Sequence, residues 1–493
     1  MKVQIDFHKP MSVYFIGIGG VSMSGLAELL FTRGFSVSGS DAKESSYTRH
    51  LEELGIHVVY GQRAEHIVPG IDLVVYTAAI HPDNPEFAAA KATGLPLMDR
   101  ATLLGQIMSH YPNAIAVSGT HGKTTTTAML SCIYLNAALD PTITLGGTLP
   151  EIDSNLRIGA SGHFIMEACE YTNSFHHFRP TTALVLNVEA DHLDFFSGIK
   201  QIRESFTTFL GLLPKDGLLV INGEIPDYQA LYAGLPVRAV TYGLAGGPFD
   251  YMAEDIRFDE AGHGSYTLSI RGKSAGRIEL GVVGRHNISN SLAAIAAALE
   301  YRPVPEAAAD TDLVAADAAA SPYLTSAGLP PANPITLSEI ASALKSFHGT
   351  DRRFQNKGIR KGVTVIDDYA HHPTEVTATL ASARQGNYHQ IWCVFQPHTY
   401  SRTRLLLNDF AEALSHADKV VLTDIYAARE ADPGDISSAD LLAKLTERGV
   451  EAYYFKNFEE IENFLIHNCT NGDLLITMGA GDVVNIGENF LQL

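Results

Sequence analysis

The chain has 493 residues, 46% of them hydrophobic and 18% charged, so it can bury several cores, and its length points to about three domains. A formal charge of -20, from 35 Lys and Arg against 55 Asp and Glu, argues against a nucleic-acid duplex or an anionic membrane as main partner, since either favours a basic face. Cys132, Cys169, Cys393 and Cys469 show no Cys-x-x-Cys spacing, which argues against a disulfide framework or thiolate zinc site and fits a reducing cytoplasm.

No apolar stretch reaches the ~18 residues of a membrane span, and the N-terminus lacks the basic-then-apolar order of a secretory signal. The expectation is a cytoplasmic chain without membrane insertion, monomeric or homodimeric.

Short apolar runs ending in Gly or polar clusters alternate with Ala/Leu-rich stretches of helical period, which predicts parallel sheets covered by helices. The alternation occurs three times. The first block runs from Val13-Tyr-Phe-Ile through Leu73-Val-Val-Tyr to Met108 and closes near a turn at 110–113. After its first strand comes Ile16-Gly-Ile-Gly-Gly-Val-Ser-Met-Ser-Gly, and Asp41 stands 24 residues beyond Gly17 at the predicted end of the next strand. Such a turn suits a diphosphate ligand, without choosing between NAD and a nucleotide sugar. Ser22 replaces the third glycine of the dinucleotide fingerprint.

The second block opens on Ala114-Ile-Ala-Val and holds Phe164-Ile-Met, Ala183-Leu-Val-Leu and Leu218-Leu-Val-Ile before the helical Ser291-Leu-Ala-Ala-Ile-Ala-Ala-Ala. Between its first strand and the helix around Ala128 lies Ser118-Gly-Thr-His-Gly-Lys-Thr-Thr. This is the setting of a phosphate-binding loop: glycines let backbone N–H groups close around phosphate oxygens, Lys123 supplies charge, and Thr124 offers a hydroxyl to Mg²⁺. The pattern departs from consensus at Val117, where the first Gly would fall. ATP is the expected ligand.

Two acidic clusters follow, Glu167-Ala-Cys-Glu-Tyr-Thr-Asn-Ser-Phe and Asn187-Val-Glu-Ala-Asp-His-Leu-Asp, each near a predicted strand end. Carboxylates and His192 there could hold Mg²⁺ against a nucleotide, because strand ends of open α/β sheets converge on the binding crevice. Residues 302–334, rich in Ala, Asp and Pro, read as a linker or insertion.

The third block has Val363-Thr-Val-Ile, Ile391-Trp-Cys-Val-Phe, Lys419-Val-Val-Leu and Asp473-Leu-Leu-Ile-Thr. Asp367-Asp-Tyr-Ala-His-His-Pro follows one strand and Gln396-Pro-His-Thr-Tyr-Ser-Arg-Thr-Arg the next. His and Arg at adjacent strand ends make a local basic pocket suited to a carboxylate, which Arg grips bidentately.

In order and content these motifs resemble those of the Mur ligase family. Gly119-Thr-His-Gly-Lys-Thr is similar to its ATP loop, Gly284-Arg-His-Asn-Ile-Ser-Asn to its adenine-side segment, and Asp367-Asp-Tyr-Ala-His-His-Pro-Thr-Glu to its ribose and amino-acid segment. The Gly-Ile-Gly-Gly turn and the Gln-Pro-His-x-Tyr-Ser-Arg-Thr-Arg run look like the alanine-adding branch. The resemblance implies a Rossmann-like N-terminal domain over 1–108, a P-loop-type ATPase domain over 109–350 and a Rossmann-like C-terminal domain over 351–493.

It further implies UDP-N-acetylmuramate at Gly19, Gly20, Ser22, Ser24 and Asp41. ATP would meet Gly119, Thr120, His121, Gly122, Lys123, Thr124, Thr125, Asn287, Arg353 and Asp368. Mg²⁺ would be held by Thr124, Glu167 and His192, and L-alanine by Tyr369, His371, His398 and Arg402. Lys123, Glu167, His192, His371 and Arg402 are then the expected catalytic set, working through an acyl phosphate. Thr399 stands where some relatives carry Arg, and no lysine matches the carbamylated lysine of sister ligases.

Overall fold

The computed structural model describes residues 3–77, 80–192, 195–244, 246–300, 334–428 and 430–492. The expected linker at 302–334 lies outside these residues apart from Pro334, as does the end of the second acidic cluster at 193–194.

Three sheets follow one another along the chain. The first is wholly parallel, in the spatial order His57–Tyr60, Ser36–Asp41, Ser12–Ile16, Leu73–Tyr76, Leu97–Asp99. Its strand order reverses between Ser12–Ile16 and Leu73–Tyr76, and such a reversal opens a crevice at the carboxyl ends of the strands.

The central sheet has ten strands. Its parallel part centres on Asn113–Ser118, buried at every position, flanked by Thr182–Val185 and His163–Ala168. At one end the chain adds an antiparallel meander, Tyr251–Phe258, His263–Ile270 and Lys273–Val283, and at the other Ser154–Arg157 runs antiparallel to Thr142–Leu149. The sequence pattern of parallel sheets covered by helices does not announce these antiparallel strands. Their buried and partly exposed positions alternate, with Tyr266 and Leu268 turned inward, so no continuous apolar run announces them. The third sheet is parallel except for its edge Gln355–Arg360, which forms a hairpin with Val363–Asp368.

One apolar cluster runs without a break from the first sheet (Phe15, Leu30, Val75) through helix Arg100–Met108 (Leu103, Ile107) to one face of the central sheet (Phe164, Phe175, Phe206). The other central face packs on helices Lys123–Asn136, Arg285–Leu299 and Leu337–Ser346. The third sheet keeps two clusters of its own, around Phe395 and Trp392.

Candidate functional site

The phosphate loop leaves strand Asn113–Ser118 through Gly119 (φ 145°) and enters helix Lys123–Asn136 through Gly122 (φ 81°), a left-handed cap that disfavours any side chain. A Cβ at Gly122 would also stand 2.6 Å from Asn290 Oδ1. Asn187 closes the loop from the neighbouring strand end: its Oδ1 accepts from His121 N at 2.7 Å and its Nδ2 donates to His121 O at 3.1 Å.

Lys123 folds back over this loop, its Nζ donating to Gly119 O, to Thr120 O at 3.0 Å and to Glu170 Oε2 at 3.0 Å. Burial works against its charge, but Glu170 outweighs it and holds the ammonium protonated. Thr124 Oγ1 and Gly146 N both donate to Glu167 Oε2 at 2.9 Å. Thr124 and Glu167 thus pair as hard oxygen donors of the kind a magnesium ion takes. His192 stands apart from them, its Nε2 3.9 Å from Glu170 Oε1 and 3.8 Å from Asp191 Oδ2, its ring on Tyr171. Among the described residues no three His, Cys, Asp or Glu side chains converge as a metal site.

Across from this loop the third sheet's strand ends carry the His and Arg side chains expected to form a basic pocket, with Arg402 as the charged member at pH 7. A cleft of about 820 Å³ is lined on one side by Tyr171, Asp191 and His192 and on the other by Tyr369, His371, His398 and Arg402. Thr399, at φ 64°, turns the chain so that Arg402 faces inward. Arg402 Nη1 donates to His398 Nδ1 at 3.2 Å and Nη2 to Asp191 Oδ1 at 3.3 Å, joining the third domain to the central one. Asp191 is pulled well below the usual carboxylate range: burial opposes this, but the charges of His192 and Arg402 prevail.

Burial lowers His371 to about 4, and burial with the neighbouring His371 and Arg402 lowers His398 to about 3, so both rings are neutral at pH 7. His371 Nδ1 donates to Tyr369 O at 2.9 Å, which leaves the lone pair on Nε2. His192, Thr399 and Ala428, all lining the cleft, hold left-handed φ values of 51°, 64° and 52°. Thr172 and Asn173, next to Tyr171, do the same at 54° and 57°. Non-glycine residues in this region store strain of order 1–3 kcal/mol each, and such strain gathers at working sites.

Two residues expected at adenosine are turned inward. Asp368 accepts from Phe354 N at 2.8 Å and Ala370 N at 2.7 Å, and burial pushes it up to about 6, so in this conformation its carboxylate builds the loop. Asn287 donates to Val283 O and accepts from Asn290, which braces Gly122. Arg353 lies over the Tyr369 ring, 4.0 Å from Glu375.

His121, expected at ATP, wedges between domains: Nδ1 is 3.3 Å from Glu375 Oε1 and Nε2 3.5 Å from Glu189 Oε2. Burial disfavours its charge, yet these two carboxylates raise it to about 9. Thr374 Oγ1 donates to Glu189 Oε2 at 3.0 Å. Glu170, Glu189, Asp191 and Glu375 were not assigned from sequence. All four lie inside or beside the quoted motifs, but nothing in those motifs says which carboxylate meets which partner.

In the first domain, Gly17 N and Ile18 N donate to Ser40 O, and Gly19 N donates to Asp41 Oδ2 at 2.9 Å. A Cβ on Gly19 would stand 2.6 Å from Thr48 Cγ2, so only glycine fits. Ser22 Oγ accepts from Arg100 Nη1 at 2.9 Å, while Ser24 is buried with its hydroxyl on Val21 O.

Three family models match the chain: Mur ligase family, catalytic domain, over residues 12–112; Mur ligase middle domain over 117–298; and Mur ligase, glutamate ligase domain, over 352–481. The chain is 52% identical to UDP-N-acetylmuramate–L-alanine ligase of Lachnospira eligens over 489 residues, 99% of this chain and 100% of that one. The same enzyme of Agathobacter rectalis is 53% identical over 489 residues, covering 99% of each. Among solved structures, UDP-N-acetylmuramate-alanine ligase of Thermotoga maritima superposes with a TM-score of 0.75 at 27% identity, covering 98% of both chains. A murein peptide ligase of Psychrobacter arcticus shares the fold, with a TM-score of 0.66 at 24% identity and 98% coverage of both.

Proposed function

The chain belongs to the Mur ligase family, and from that premise we propose that ATP activates the lactyl carboxylate of UDP-N-acetylmuramate as an acyl phosphate, which L-alanine then opens. The ligase adds L-alanine to UDP-N-acetylmuramate in peptidoglycan precursor synthesis. On this reading it works in the cytoplasm, as a monomer or homodimer; among the described residues no helix is long and apolar enough to cross a membrane.

A carboxylate is a poor electrophile, so a carboxylate oxygen attacks the γ-phosphorus of ATP and ADP leaves. Lys123 would exchange Gly119 O and Glu170 for phosphate oxygens and stabilise charge as the phosphoryl group moves. A magnesium ion supplies further neutralisation of phosphate charge when bound, and Thr124 and Glu167 would hold it.

The amine of L-alanine then attacks the acyl carbon and phosphate leaves. Attack requires a neutral amine, and His371, held neutral with its Nε2 lone pair free, would accept a hydrogen bond from the amine N–H and orient it, while the proton shed on amide formation leaves with phosphate or to solvent. Arg402 would turn from Asp191 to the alanine carboxylate, with His398 beside its guanidinium, and Tyr369 would wall the pocket. Docking of the third domain against the phosphate loop keeps water from the acyl phosphate.

The observation that carries this reading is the bond from Arg402, in the basic pocket, to Asp191, at the strand-end cluster beside the phosphate loop. It sets the amino-acid-type pocket against the Asn187–His192 segment, whose Asn187 closes the phosphate loop. A heavy-oxygen label in the lactyl carboxylate tests the intermediate. Each phosphate released should carry one labelled oxygen; amide formed with unlabelled phosphate would overturn the acyl phosphate.

A further inference from the structure

Arg100 opens helix Arg100–Met108, directly after edge strand Leu97–Asp99 of the first sheet. Its guanidinium reaches across the strand ends to Ser22, in the first turn of helix Val21–Thr32. Among the described residues no carboxylate forms a salt bridge with it: the charge of neighbouring Asp99 reaches it, but Asp99 gives its Oδ1 to Thr102 N and its Oδ2 to Thr102 Oγ1. In a chain with 55 acidic residues, a half-buried guanidinium in no salt bridge among the described residues is conspicuous, because withdrawing a charge from water is costly unless something compensates it.

Its surroundings favour an anion. Arg100 stands at the carboxyl ends of the first sheet, where the strand order reverses. The adjoining helix Val21–Thr32 begins at Gly20 with no side-chain cap and no acid in its first turn. Asp41, bonded to Gly19 N, puts one negative charge beside the glycine turn, which raises the need for a cation there.

We propose that Arg100 grips an oxyanion of the sugar nucleotide across the residue 17–20 turn, a phosphate of the diphosphate or the lactyl carboxylate, with Ser22 fixing the guanidinium. This rests on the reading of the first-domain crevice as the sugar-nucleotide site. Arg100 offers two N–H groups in a fixed fork that matches either oxyanion, and lysine at this position would keep the charge but lose the fork.

The test is calorimetric titration of the full-length protein and its R100Q, R100K and S22A variants with uridine (by competition), UDP, UDP-N-acetylglucosamine and UDP-N-acetylmuramate. ATP affinity and melting temperature serve as controls for folding. R100Q should bind at least tenfold more weakly, R100K should recover part of the loss, and S22A should lose less than R100Q. A loss shared by UDP and both UDP-sugars assigns Arg100 to the diphosphate; a loss confined to UDP-N-acetylmuramate assigns it to the carboxylate. Uridine affinity should not change. Unchanged binding of every anionic ligand by R100Q, or an equal loss for uridine, overturns the inference. Failure of the unaltered protein to bind any UDP compound sinks instead the sugar-nucleotide reading on which it rests.

Discussion

The two seams between domains are built from opposite materials. Where the first sheet meets the central one, a single apolar cluster crosses the boundary, and Gly105 lies so close to His177 O that a Cβ would come within 1.9 Å. Where the third domain meets the central one, the contacts are ionic or polar: His121 with Glu375, Thr374 with Glu189, Arg402 with Asp191, and Asp351 N with Thr148 O. An apolar seam cannot open without exposing its area to water, whereas polar partners can be exchanged for solvent or substrate. The difference predicts a division of parts: on the proposed reading the sugar-nucleotide crevice stays fixed to the central sheet, and the third domain is the one expected to move over the phosphate loop.

The largest expected effect lies at the polar seam's catalytic edge. Lys123→Met should lower kcat by roughly 10²–10³, the scale of losing a preorganised donor to transition-state charge, in steady-state phosphate release. A variant within tenfold of the parent would remove Lys123 from the chemistry.

Gly105→Val probes the apolar seam, and overpacking of this kind costs about 1–3 kcal/mol. Denaturant unfolding should show that loss while the folded fraction keeps its KM for L-alanine. A raised KM without lost stability would mean that the rigid and mobile seams have been assigned the wrong way round.

Arg402→Lys should raise KM for L-alanine by about tenfold, since one charge-assisted hydrogen bond is worth roughly 1.5–3 kcal/mol and lysine keeps only the point charge. Its effect on the affinity for UDP-N-acetylmuramate should be small, and an equal loss for both substrates would contradict the pocket's assignment.

The smallest effect is in pH. His121 is raised from an ordinary value of 6.5 to about 9 by Glu189 and Glu375. Its contribution to the seam is therefore fully present below about 6.5 and lost as pH rises through about 9. Hydrogen exchange in helix Pro373–Ala383, corrected for intrinsic rates, should quicken over that window, and His121→Asn should flatten the dependence. A flat profile in the unaltered protein would show that His121 does not fasten the domain.

The buried parallel strands were legible because both faces are covered and the sequence runs apolar without alternation, as in Ile391-Trp-Cys-Val-Phe and Asn113–Ser118. The meander at 251–283 hid because half its positions face water. At the site, the loop glycines, Lys123 and Arg402 stood out because strand-end chemistry needs those residue types. The pairings did not: His121 and Glu375 are 254 residues apart, and only the tertiary fold brings them together. Asp368 shows the reverse, a motif residue whose polar atoms turn inward to backbone N–H groups. Arg100 carried no motif at all, and that it forms no salt bridge among the described residues is visible only in three dimensions.

The most direct measurement is phosphate release from ATP with magnesium and UDP-N-acetylmuramate, with L-alanine, glycine, L-serine or the stem tripeptide as acceptor, and the mass of the amide product. Release that needs both the sugar nucleotide and L-alanine, with a product heavier by one alanyl residue, is the predicted result. Preference for the tripeptide, or release that continues without sugar nucleotide and acceptor, would contradict it.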